Sequence, residues 1–128
     1  MRAAILWELN KELDVRDDVR LTDLGPGEVH VKLVSSGVCH SDVSVQNGTI
    51  PMPAPCVLGH EGAGIVKEVG PGVTDVRPGD HAIISFTPAC RKCKACLRGQ
   101  SNLCETTISM MIGAHFIVDG KKIPGMTG

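Results

Sequence analysis

Aromatic side chains are nearly missing from this sequence. Trp7, Phe86 and Phe116 are the whole set, and there is no tyrosine. Any core it builds must be aliphatic. An excess of charge of one sign is missing too: 13 Lys and Arg stand against 14 Asp and Glu, a formal net of -1. With no basic excess and few rings to stack on bases, the composition carries no signature of nucleic-acid binding. No apolar run approaches the roughly 18 residues of a membrane span, so no membrane partner is expected. The opening stretch from Met1 to Trp7 runs into Glu8 and is too short for the apolar region of a signal peptide. The cytoplasm is the expected compartment, where thiols stay reduced.

What is present narrows the class further. The 128 residues fit one domain of ordinary size. A hydrophobic fraction of 42% at near-zero net charge argues against disorder. The 15 glycines and 8 prolines argue against a helical bundle, because both break helix interiors.

The chain reads as short strands between glycine-proline turns. Arg2 to Trp7 is an apolar run, and Leu13 to Arg16 alternates with period two. After the Gly25-Pro26-Gly27 turn, Glu28 to Val34 alternates like a half-buried strand. Val38 to Asn47 does not alternate; His40 or Ser41 is placed to open one or two helical turns that Gly48 stops. Pro51, Pro53 and Pro55 exclude regular structure up to Cys56. Ala63 to Val69 predicts a strand whose glycine implies tight packing or a bulge. His81 to Phe86 predicts a buried strand. The tail from Thr106 to Gly128 is poorly patterned, apart from apolar Ile108 to Ile112. The sum predicts a mainly β, barrel-like domain with an inserted lobe.

That lobe spans about 88–105 and holds the strongest motif, Cys90-x2-Cys93-x2-Cys96-x7-Cys104. Two-residue gaps let neighbouring thiolates fold over one ion, and the longer gap closes the loop around it. The interior of the lobe has little apolar content, so a metal would supply its organising energy. Arg91, Lys92, Lys94 and Arg98 would offset the negative charge of four thiolates around Zn²⁺. Disulfides and an iron–sulfur cluster are the competing readings.

A second group lies earlier. Cys39 and His60 offer one thiolate and one imidazole, two of the donors an open zinc site uses. Asp42 and Glu61 place carboxylates beside them, and a carboxylate on the far nitrogen of a ligating histidine fixes its tautomer. Ser41 is placed to pass a proton. On chemistry alone, a core cysteine and a core histidine are the competing reading.

The order of motifs goes further. Gly37-Val38-Cys39-His40-Ser41-Asp42 comes first, then Gly59-His60-Glu61-Gly62-Ala63-Gly64, then Val69-Gly70-Pro71-Gly72-Val73-Thr74. Pro78-Gly79-Asp80-His81-Ala82 and the four-cysteine lobe follow. From Met1 to about Cys104 this series resembles the zinc-dependent alcohol dehydrogenases of the medium-chain dehydrogenase/reductase superfamily. The resemblance implies a GroES-like, partly open β-barrel with short helical segments and an inserted zinc lobe. It implies that Cys39 and His60 are two of three protein ligands of a catalytic zinc, with Glu61 the acidic residue able to approach that ion. It makes Asp42 the partner of His60, Ser41 the hydroxyl that meets the substrate alcohol and starts a proton relay, and His40 the residue facing the pyrophosphate of NAD or NADP. It makes Cys90, Cys93, Cys96 and Cys104 the ligands of a structural zinc. The implied reaction is hydride transfer between a small alcohol and the nicotinamide, giving an aldehyde or ketone. Family members are homo-oligomers, assembled mainly through their cofactor domain.

The sequence also departs from that pattern. The family's third catalytic ligand, usually a cysteine, lies beyond the structural lobe, and no cysteine follows Cys104. Cys56 reads as a buried small hydrophobe. His115 reads as an ordinary histidine, and His30 and His81 as structural residues of strands. Ser44 stands where many members carry the histidine that ends the proton relay, a step left to water. A Rossmann unit needs Gly-x-Gly-x-x-Gly, and Gly62-Ala63-Gly64 leads instead to Lys67. Residues 1–128 are therefore expected to form an incomplete catalytic domain without its cofactor domain, a fragment with exposed strand edges and no activity alone. A non-enzymatic zinc-binding or interaction module on the same scaffold is the alternative. A co-chaperonin would rest on fold alone and leaves the metal motifs without a purpose.

Overall fold

A computed structural model describes residues 1–126. The strands are β1 (Ala3–Leu6), β2 (Asp14–Arg16), β3 (Arg20–Leu21), β4 (Val29–Ser36), β5 (Cys56–Val57), β6 (Gly62–Val69), β7 (His81–Ile83), β8 (Phe116–Val118) and β9 (Lys121–Ile123). Three short helices join them: α1 (His40–Gln46), α2 (Lys94–Leu97) and α3 (Thr107–Met111). The strands form three antiparallel sheets, ordered β2-β1-β5, β3-β8-β9 and β4-β6-β7. Among the described residues these sheets do not close into a barrel, as a partly open barrel requires. No helix among them is long and apolar enough to cross a membrane.

The core follows from strand β1. Consecutive side chains of a strand point to opposite faces, and here Ile5 and Leu6 are both fully buried. Ile5 packs with Val19, Val57, Val118 and Ile123, edged by Trp7 and Phe116. Leu6 packs with Val45, Cys56 and Met126. Each fully buried aliphatic side chain contributes about 1.5–3 kcal/mol. One four-residue strand thus ties α1 and the end of the described chain to the same centre.

Several expectations need correction. His81 to Phe86 is not a buried strand. Strand β7 stops at Ile83, pairs only with β6, and leaves Ile83 87% exposed as part of a sheet edge. The alternation expected over Glu28 to Val34 is not seen: Glu28 to Val31 are all half-buried, and β4 runs on to Ser36 with Lys32 to Ser36 all exposed. Register shifts between His30 and Val31 and between Leu33 and Ser35 break the period of two. The tail is better ordered than its pattern implies: β8 and β9 form a hairpin, with Val118 opposite Lys121. Its turn residues Asp119 and Gly120 both have positive φ, the two-residue turn that Asp-Gly favours. In β6, Gly64 has the predicted tight contact, because a β-carbon there would run into the Lys32 carbonyl.

Candidate functional site

The cysteine lobe is assembled by short turns. Cys93 precedes α2, and a single 3-10 turn, Ser101–Leu103, delivers Cys104. The sulfurs of Cys90, Cys93, Cys96 and Cys104 all lie within 4.8 Å of one another. Four sulfurs held tetrahedrally at about 2.3 Å from an ion stand about 3.8 Å apart. Cys93 Sγ and Cys104 Sγ are separated by 4.0 Å, so the set fits a tetrahedral zinc. None of the six cysteines is in a disulfide.

Backbone amides donate to two of these sulfurs. The Cys90 N–H donates to Cys104 Sγ at 3.3 Å, and the Cys93 N–H to Cys90 Sγ at 3.3 Å. The Cys90 amide above all, helped by Thr106, draws the Cys104 thiol down to about 5. The Lys92 amide, then the Thr106 hydroxyl, lowers that of Cys90. Cys96 goes the other way, pushed up to about 12 by desolvation and then by Cys93. Arg91 has positive φ and its guanidinium pairs with Asp75, tying the lobe to the loop after β6.

The second group forms where α1 meets the loop between β5 and β6. Cys39 ends the extended segment after β4 and caps α1 with extended backbone angles. Helix α1 starts at His40, one of the two positions expected. Asp42 anchors the junction. Its Oδ2 accepts the Cys39 N–H at 3.0 Å and its Oδ1 accepts the Gly59 N–H at 3.1 Å. The same Oδ1 lies 3.3 Å from His60 Nδ1. That nitrogen is buried and the contact lacks hydrogen-bond alignment.

The other ring nitrogen faces the site. His60 Nε2 is 3.1 Å from Ser41 Oγ, which donates to Cys39 Sγ at 3.1 Å. Donor atoms of Cys39, His60 and Glu61 lie within 4.8 Å of one another. One thiol, one imidazole and one carboxylate form a donor set that suits zinc. His60 is buried, Cys39 partly so, and Glu61 is exposed, so the group opens to solvent on one side.

Other candidates lie apart from these groups. His40 is exposed at the start of α1, its Nδ1 3.5 Å from Ser44 Oγ. Cys56 sits in the core with Leu6 and Val45, and burial pushes its thiol up to about 11. His115 pairs instead with Glu28, Nδ1 to Oε1 at 3.5 Å. His30 lies in β4 and His81 in β7, where His81 is exposed. One residue near the site escaped sequence reasoning. The Phe86 ring packs on that of His60, centroids 4.7 Å apart and tilted by 54°. Only its rarity as an aromatic marked it out.

The chain resembles known proteins in sequence and fold. Residues 25–126 match the alcohol dehydrogenase GroES-like domain. Over 120 residues the chain is 47% identical to S-(hydroxymethyl)glutathione dehydrogenase of Paracoccus denitrificans, covering 93% of this chain and 32% of that protein. The crystal structure of an alcohol dehydrogenase zinc-binding domain protein from Burkholderia ambifaria superposes with a TM-score of 0.89 at 29% identity, over 98% of this chain and 36% of that one. Benzyl alcohol dehydrogenase from Acinetobacter calcoaceticus superposes with a TM-score of 0.83 at 29% identity, over 98% and 35%. The chain spans about a third of the length of the curated relatives it matches. Motif order, fold and likeness meet in one assignment: the chain belongs to the zinc-type medium-chain alcohol dehydrogenase family, of which it carries the GroES-like domain.

Proposed function

We propose that this chain is the alcohol-handling part of an oxidoreductase. It interconverts small alcohols with aldehydes or ketones, while NAD or NADP is held by a separate domain. The observation that carries this reading is the Ser41 hydroxyl, 3.1 Å from both Cys39 Sγ and His60 Nε2. A proton-passing group thus stands between two metal donors.

An open zinc site uses three protein donors and keeps one position free. Cys39, His60 and Glu61 supply three. When bound there, zinc would provide Lewis-acid polarisation of a substrate oxygen. Ser41 is placed to take the proton of a substrate hydroxyl and hand it outward. Asp42 Oδ1, 3.3 Å from His60 Nδ1, lies on the far side of the ring from Nε2, which faces Ser41. Phe86 covers part of the His60 ring and keeps water from it. His40, on the exposed first turn of α1, is available to a cofactor phosphate. Cys90, Cys93, Cys96 and Cys104 hold a second, structural zinc that organises their lobe.

The test is a chimera. This chain replaces the matching segment of the Paracoccus denitrificans dehydrogenase, and oxidation of a panel of alcohols by NAD and NADP is followed. Turnover is expected in the chimera, with about a 100-fold loss on Ser41→Ala, in the usual range for a positioned proton-transfer group. The isolated chain is expected to show none above a metal-free control. A folded, zinc-loaded chimera without turnover would refute the enzymatic reading and favour a non-enzymatic module.

A further inference from the structure

We propose that Gly37 is a positioning residue for Glu61. Having no side chain, it leaves the space in which the Glu61 carboxylate joins Cys39 and His60 at the position a metal would take. The inference rests on the zinc reading above and deepens it.

Gly37 follows the last residue of β4, two positions before Cys39. Its N–H donates to the Glu61 carbonyl at 2.8 Å, which locks the two backbones side by side. A β-carbon built on Gly37 would overlap Glu61 Oε2, and it would stand 3.2 Å from Glu61 Cβ and 3.3 Å from Cδ. Gly37 is not among the glycines with positive φ, so backbone freedom is not what this glycine supplies. It supplies room, and the carboxylate fills that room.

The atom in the way is the end of a flexible, exposed side chain. An alanine at Gly37 therefore turns the carboxylate away from the Cys39–His60 pair, with a shift of a few tenths of an ångström at Glu61 Cβ, rather than breaking the fold. Gly64 is the contrast. There a β-carbon would meet the Lys32 carbonyl, a backbone atom that cannot swing aside, so the same substitution damages the sheet. Two glycines near one site thus have different uses, one for a ligand and one for strand contact.

The consequence is read in metal binding. The whole 128-residue chain is loaded with zinc and dialysed. Equivalents are then measured by elemental analysis, and the affinity of each ion by competition with a chromophoric chelator. The wild-type chain should hold two ions. Gly37→Ala and Glu61→Gln should each weaken one of them by about 10- to 100-fold, the range usual for losing support at a metal site. The lobe's ion should stay, as an internal control, and the thermal midpoint of Gly37→Ala should match wild type. The double variant should bind no more weakly than Glu61→Gln alone, because both changes remove one interaction; a merely structural role for Gly37 would add a further loss.

Each other outcome overturns the idea at a different point. If Gly37→Ala keeps the second ion and Glu61→Gln loses it, Glu61 is a ligand but Gly37 does not position it. If Glu61→Gln keeps both ions at full affinity, the carboxylate is not a donor and the proposal fails while the zinc reading stands. If the wild-type chain binds only the ion of the four cysteines, the reading of the second site fails, and the proposal with it.

Discussion

Replacing Asp42 with alanine should unsettle both the fold and the second metal group, and the structure sets the size of the effect. Asp42 is 9% exposed. It accepts the N–H groups of Cys39 and Gly59 at 3.0 and 3.1 Å and sits against the His60 ring. Hydrogen bonds to a charged group contribute about 1.5–3 kcal/mol each. Removing both acceptors should cost about 3–6 kcal/mol, against the 5–15 kcal/mol that roughly bounds the stability of a natural domain. Asp42→Asn should fall between, because one amide oxygen can still accept while the NH₂ group opposes the second donor. Urea unfolding read by Trp7 fluorescence is the assay. Trp7 is the only tryptophan, and its Nε1 donates to Asp14 Oδ2 at 2.9 Å, so it reports the pairing of β1 with β2, away from the substitution. An Asp42→Ala midpoint within about 0.5 kcal/mol of wild type, at unchanged slope, would refute the reasoning. It would mean that the two amides find water, and that the junction of α1 with the His60 loop does not depend on this carboxylate.

Further outcomes follow from the cysteines. Cys93→Ser should lose one zinc equivalent and open the lobe to proteolysis between Arg91 and Leu103, because Leu97 and Leu103 are 74% and 61% exposed and give it no core of its own. Retention of both ions by that variant would count against the lobe as a metal site. Cys56 supplies a pH signature. Burial raises its thiol from 9.0 to about 11, so above pH 9 the unfolded chain gives up the proton before the folded one does. Stability should therefore decline from about pH 9 toward pH 11. That slope should flatten in Cys56→Ala, as unfolding curves at several pH values would reveal; an equal slope in both would place the cause elsewhere.

Local chemistry made part of this fold legible. Glycine and proline mark where strands must end, so β1, β2 and β6 lie close to where their turns and alternation put them. The misses have local causes as well. Bulges broke the alternation of β4, and an edge position left Ile83 of β7 exposed although it is apolar. Apolar character tells which side chains can be buried, and sheet order decides which are. The β8–β9 hairpin carried its signal in Asp119-Gly120, a turn hidden by the weak patterning around it. Short strands such as β3 and β5, each two residues long, have no period to read and exist only because partners lie beside them.

The site divides along the same line. The cysteine lobe was legible because its four donors lie within one short loop, where spacing alone limits their geometry. Cys39 and His60 were legible as a pair only through the order of motifs, since a helix cap and a loop far apart in sequence must meet to join them. Glu61, expected from the resemblance as the acidic residue able to approach the ion, lies with that pair in the structure. Adjacent residues in an extended segment usually point apart, so adjacency alone does not bring both to one ion. What overrides it is an empty place at Gly37, a feature of another strand's end. A missing side chain can therefore carry as much information about a metal site as a ligand does, and it becomes readable once the neighbouring backbone is in view.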